Sequence, residues 1–96
     1  MTRFYVPYAG RKPASLSING HRLVLVALDA DSAEDSMELS GADRVKKLEV
    51  GTSQAEQSEQ LDAVARKAKS GVVLVPPEAE IDEVIRNLET QLPWLQ

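Results

Sequence analysis

The chain has no cysteine and a single histidine, His21. The missing cysteine excludes a disulfide framework, thiolate zinc sites and a cysteine nucleophile. The single histidine excludes histidine-rich metal centres and leaves one candidate base for any serine triad. Aromatic residues are also scarce: one Phe, two Tyr and one Trp. The longest unbroken apolar run, Leu23–Leu28, falls far short of the ~20 residues that span a bilayer. The opening Met-Thr-Arg-Phe-Tyr-Val-Pro-Tyr lacks the apolar stretch of a secretory signal, so a cytoplasmic location is expected. A composition of 43% apolar and 27% charged residues over 96 positions is that of one small globular domain.

Acid is missing from one region. Residues 1–28 carry Arg3, Arg11, Lys12 and Arg22 and no acidic side chain, whereas the remainder holds fifteen acids against seven bases. The acidic bulk repels phosphates and argues against general nucleic-acid binding. It suits a chain that docks its basic end onto an acidic neighbour, another copy of itself included.

The clearest local signal is Asn19-Gly20, the dipeptide that best tolerates the positive φ angles of a type I′ hairpin turn. It pairs Ile18 with His21, Leu16 with Leu23 and Ala14 with Leu25. The second strand becomes apolar on both faces and belongs inside a sheet. Phe4-Tyr5-Val6 is a strand candidate that Pro7 stops or pushes to an edge.

After Leu28 helices and strands alternate. Asp29–Leu39 is a short acidic helix, capped by Asp31 or Ser32 and ended by Gly41. Lys47–Val50 alternates as a strand. Ser53 and Glu56 form a capping box ahead of the stripe Leu61, Val64, Ala65 and Ala68, and Gly71 stops that helix. Val72–Val75 predicts a central parallel strand. Pro77 fits a first helical position ahead of the stripe Ile81, Val84, Ile85, Leu88 and Leu92. The fold class is therefore α/β, with a small mixed sheet, an N-terminal β-hairpin and then alternating helices and strands (β-β-α-β-α-β-α). Residues 1–13 form a basic aromatic arm or edge strand, 14–92 the single domain and 93–96 a tail.

The candidates for chemistry are few. Asp29 and Asp31 at a strand end are an Mg²⁺ pair for phosphoryl transfer or nucleotide binding, or simply a turn and cap; no further acid or lysine converges on them. Gly51-Thr52-Ser53 is a phosphate cradle or a cap, without the spacing of a P-loop. His21 is a hairpin-tip surface residue or a packing residue ahead of a general base. No catalytic residue, metal ligand or cofactor is assigned.

The stronger features are for binding. Arg3, Phe4, Tyr5, Tyr8, Arg11 and Lys12 mix cations with rings, and Trp94 closes the other end. Arg, Tyr and Trp are frequent interface anchors. The internal elements use aliphatic side chains, so the terminal rings are expected to grip a neighbour; the competing expectation folds them onto their own core.

Tyr8-Ala9-Gly10-Arg11-Lys12-Pro13 leading into Ser17-Ile18-Asn19-Gly20-His21-Arg22-Leu23, the segment Leu39–Val50, and the ending Leu92-Pro93-Trp94-Leu95-Gln96 resemble the small, acidic, cysteine-free proteins of tailed bacteriophages. These include minor capsid, head-completion and head–tail joining components. The resemblance implies a non-enzymatic virion or assembly protein lodged among copies of itself or against a capsid or connector protein. A second expectation is an inhibitor that sequesters a protein target through the acids at 29–38 and 78–89.

Overall fold

The structure, a computed structural model, describes residues 2–94. Nine elements follow one another: β1 (Thr2–Ala9), β2 (Lys12–Pro13), β3 (Leu16–Ile18), β4 (His21–Ala27), α1 (Ala30–Ser40), β5 (Arg44–Val50), α2 (Gln54–Ala68), β6 (Gly71–Val75) and α3 (Ile81–Gln91). The strands form one six-stranded mixed sheet with β1 and β4 at its centre. β5 runs antiparallel along β1 from Thr2↔Val50 to Tyr8↔Arg44. β1 meets β4 antiparallel at Tyr5↔Ala27. β6 lies parallel to β4, from Leu23↔Gly71 to Ala27↔Val75. Where β1 and β4 diverge, β2 continues on β1 and β3 on β4.

The Asn-Gly hairpin forms in the expected register, with Leu16 opposite Leu23 and Ile18 opposite His21. Asn19 and Gly20 take φ of 54° and 86°, as a type I′ turn requires. Ala14 departs from the expected pairing: its amide donates to the Pro7 carbonyl (2.8 Å) instead of facing Leu25.

Helices cover both faces. On one, α2 lays Val64, with Leu61 and Ala68, over Phe4, Val6, Tyr8, Val24, Val26 and Val50. On the other, α1 and α3 bring Ala33 and Ile81, with Val84, Ile85 and Leu88, against Leu25, Ala27 and Val75. α1 buries only small side chains, Ser32, Ala33 and Ser36, which lets its axis approach the sheet closely. The Ser36 hydroxyl is satisfied by the Ala33 carbonyl at 2.9 Å.

Several terminal signals act as read, and others do not. Gly41 ends α1 in the left-handed region at φ 72°, with Asp29 as the N-cap. Ser53 caps α2, its Oγ accepting from the Glu56 amide at 3.2 Å. Ser53→Ala should therefore cost about 1 kcal/mol, read as a lower urea midpoint at unchanged m-value. α2 ends at Ala68 with Lys69 as its C-cap at φ 53°, two residues before Gly71, and Gly71 opens β6. Pro77 lies in a turn with Glu78, and α3 begins at Ile81 after Glu80.

Two expectations are overturned. β1 is neither an arm nor an edge, because β5 flanks it on one side and β4 and β2 on the other. Pro7 is tolerated because its carbonyl faces the Ala14 amide. The backbone N and O of one strand residue face the same side, so the missing donor falls at the divergence of β1 and β4, away from the β5 ladder. Phe4 (1% exposed) and Tyr8 (5%) then point into the core beside the aliphatic residues. The second correction concerns β6, which is parallel but pairs only with β4 among the described residues. It is an outer strand, not a central one. The radius of gyration, 12.5 Å, is that of a compact chain of this length and leaves no room for an extended arm.

Candidate functional site

Sheet direction sorts the charges. The start of β4, β5 and β6 and the end of β1 share one end of the molecule, and α2 finishes there. Arg11, Lys12, Arg22, Arg44, Lys46, Arg66, Lys67 and Lys69 all lie on these segments. The opposite end, after β4, β5 and β6, carries Asp29, Asp31, Glu78, Glu80, Asp82 and Glu83. Asp43, whose Oδ2 accepts from the Gly10 amide at 3.2 Å, is an acid at the first end, and Arg3 is a base at the other. Cations thus predominate at one end, the basic end, and acids at the opposite one, the acidic end.

Two adjoining depressions occupy the basic end. The first is an open groove of about 740 Å³ between the hairpin (Gly20, His21, Arg22, Leu23) and the α2–β6 junction (Ala65, Arg66, Lys69, Ser70, Gly71). The second, about 410 Å³, is lined by Lys12, Pro13, Ala14 and Ser15 with Arg22, Ala68 and Lys69 among others. Arg22 and Lys69 border both, and among the described residues no acidic side chain lines either. The parallel register Leu23↔Gly71 creates this meeting by setting Arg22 beside Ser70. Arg22 is steadied by its Nη2 donating to Ser15 Oγ at 3.2 Å. Tyr8 holds two more cations over its ring, Arg44 Cζ at 5.7 Å and Lys46 Nζ at 5.4 Å from the centroid. Arg44 also donates to the Gly10 carbonyl at 2.6 Å. Exposed like charges this close sum into a field that attracts anionic groups and weakens with salt.

The residues singled out in the sequence are scattered by this geometry. Arg3 lies at the far end of β1, its Nε 3.9 Å from the Glu49 carboxylate. Phe4 and Tyr8 are buried under α2, and Tyr5 is half-buried on the α1–α3 face. Arg11 and Lys12 belong to the basic end. Trp94 is 75% exposed. It follows Pro93, whose carbonyl lies 2.7 Å from His21 Nε2, so the chain reaches it from the hairpin contact, but Trp94 is not among the residues that line the groove. Leu95 and Gln96 of the expected tail lie outside the described residues. Arg22, Arg66 and Lys69 were not grouped by sequence; the link was available in matching the apolar runs 23–28 and 72–75 as parallel partners.

The other candidates acquire structural tasks. A carbonyl only accepts, so His21 Nε2 carries the proton and donates to Pro93, which occupies it as a helix-end clasp. Asp29 Oδ2 accepts from the Ser32 amide (3.4 Å). Among the described residues no three His, Asp or Glu side chains are placed to hold a metal ion. The Glu56 carboxylate lies where a Cβ on Gly51 would stand, so the start of α2 already faces an anion of its own. No family model, no curated protein and no solved structure matches the chain.

Proposed function

We propose that this chain is a non-enzymatic binding and assembly module whose basic end seats an acidic protein surface, with the exposed Trp94, which follows the Pro93–His21 contact, as an aromatic contact. One observation carries the reading. A chain of net charge −4 gathers cations from β2, β4 and the end of α2 around two depressions that, among the described residues, no acidic side chain lines. Among the described residues the ion pair is Arg3–Glu49, at the other end. These cations are thus left for a partner, as expected of a surface steered by charge complementarity. A virion or connector protein with an acidic face is the kind of partner that the sequence resemblance implies.

Trp94 is the sole tryptophan and reports on the site directly. Its emission should change on titration with an oligoglutamate peptide, with an affinity that falls as salt rises. The combination Lys12→Glu, Arg22→Glu and Arg66→Glu should weaken that affinity at least about tenfold, since each exposed pair contributes up to about 1 kcal/mol. Charge reversal at Glu78, Glu80, Asp82 and Glu83 should leave it unchanged or stronger. Tighter binding to a DNA duplex of equal charge would sink the acidic-protein reading. Loss of partner binding only on reversal of the acids would favour sequestration through the acidic end instead.

A further inference from the structure

From the outer flank of β6 we infer that the chain forms a two-fold dimer by antiparallel pairing of β6 with β6 of a second copy. The two outer strands of the sheet differ in how they are protected. β5 carries Arg44, Lys46, Lys47 and Glu49, charges that discourage edge-to-edge pairing. β6 is Gly-Val-Val-Leu-Val, with no charge, no proline and, among the described residues, a strand partner on one side only. Leu74 on this strand is 41% exposed, a large apolar side chain at an open sheet edge.

The occupant follows from what stands at the two ends of the strand. Lys69 precedes β6 by two residues, and Pro76-Pro77-Glu78 follow it directly. An antiparallel copy centred on Val73 sets Val72 against Leu74 of the second copy and Gly71 against its Val75. Lys69 then arrives opposite the Pro77–Glu78 turn of the other chain, and the symmetry axis makes this attraction twice. A parallel copy would set like charges together at both ends, and an unrelated strand would match neither end. Val72 and Leu74 share the α2 side of the strand, so their cross-strand pairing covers the exposed leucine. The two prolines limit the ladder to five residues. A two-fold axis also closes the edge, where any other pairing leaves it open to further addition. A ladder this short buries less than a standard interface, so the dimer is of moderate affinity.

The dimer seam shares Lys69 and Gly71 with the groove lining, whereas Lys12, Arg22 and Arg66 lie outside the ladder, so variants at those three positions separate dimerisation from what the basic end binds. Sedimentation velocity of the full chain between about 10 μM and about 1 mM should show a concentration-dependent dimer. Leu74→Lys should weaken it at least about tenfold with an unchanged melting curve, since that side chain is already partly in water. Lys69→Glu and Glu78→Lys should each weaken it, and their combination should restore it. The Lys12→Glu, Arg22→Glu and Arg66→Glu combination should still dimerise. A monomer throughout the range, a dimer indifferent to Leu74→Lys, or a charge swap that fails to restore association would each overturn the pairing.

Discussion

Removing residues 1–12 should abolish folding altogether. An arm would be dispensable, but β1 supplies Phe4, Val6 and Tyr8 to the core under α2 and is the strand along which β5 forms its whole ladder. Truncating one buried Phe to alanine costs about 3–5 kcal/mol, whereas a domain of this size is stable by roughly 5–15 kcal/mol. Loss of three such side chains with both flanking ladders exceeds that reserve. Phe4→Ala alone should leave a chain that melts at much lower temperature and is partly unfolded at 37 °C. Circular dichroism and amide NMR dispersion read both variants. A truncated chain that still melts cooperatively near the full-length temperature would show that β1 contributes little, and the account of the core would fall with it.

That prediction turns on the place where the sequence was hardest to read. Phe4-Tyr5-Val6-Pro7 has the alternation of a half-buried strand, and the proline argues for an edge. Its tolerance depends on the divergence of β1 from β4, a tertiary feature with no local signature. β5 is legible only from Lys47, because Arg44 and Lys46 mask the start of a strand whose charged side chains face water or the Tyr8 ring. β6 looked central because Val72–Val75 is uniformly aliphatic, yet that composition belongs here to an unguarded outer strand. By contrast the hairpin, the Gly41 stop and the Ser53 cap were fully legible, since each is fixed by φ preference or by a hydrogen bond three residues away. Half of the candidate site could be read in the same way. Arg11 and Lys12 lie in the acid-free segment, and Arg66 and Lys69 at a helix end, but only the β4–β6 register joins them.

The same hairpin that was easiest to read performs a task its sequence did not announce, and Asn19 tests it. Helix α3 has the strongest apolar stripe of the three helices yet ends at Leu92 in extended backbone, without a glycine cap. Its final carbonyls find donors across the molecule: Asn19 Nδ2 donates to Glu89 O at 2.9 Å and to Leu92 O at 2.8 Å. His21 adds the contact to Pro93. Asn19→Ala removes two hydrogen bonds of about 0.5–1.5 kcal/mol each and forces a β-carbon residue to hold φ 54° without the side chain that favours it, at about 1 kcal/mol more. The expected loss is about 2–4 kcal/mol. Asn19→Gly separates the terms, because glycine keeps the turn and loses only the clasp. Asn19→Asp is nearly isosteric but turns a donor into an acceptor facing two carbonyl oxygens, so it should destabilise at least as much as the glycine variant. Urea unfolding gives the three energies, and hydrogen exchange should show the gain in opening concentrated at the end of α3. Release of the clasp should also loosen the segment that carries Trp94, two residues beyond Leu92, and change its emission. A glycine variant as stable as the parent, with α3 equally protected, would mean that the helix end holds itself and that the hairpin tip merely lies beside it.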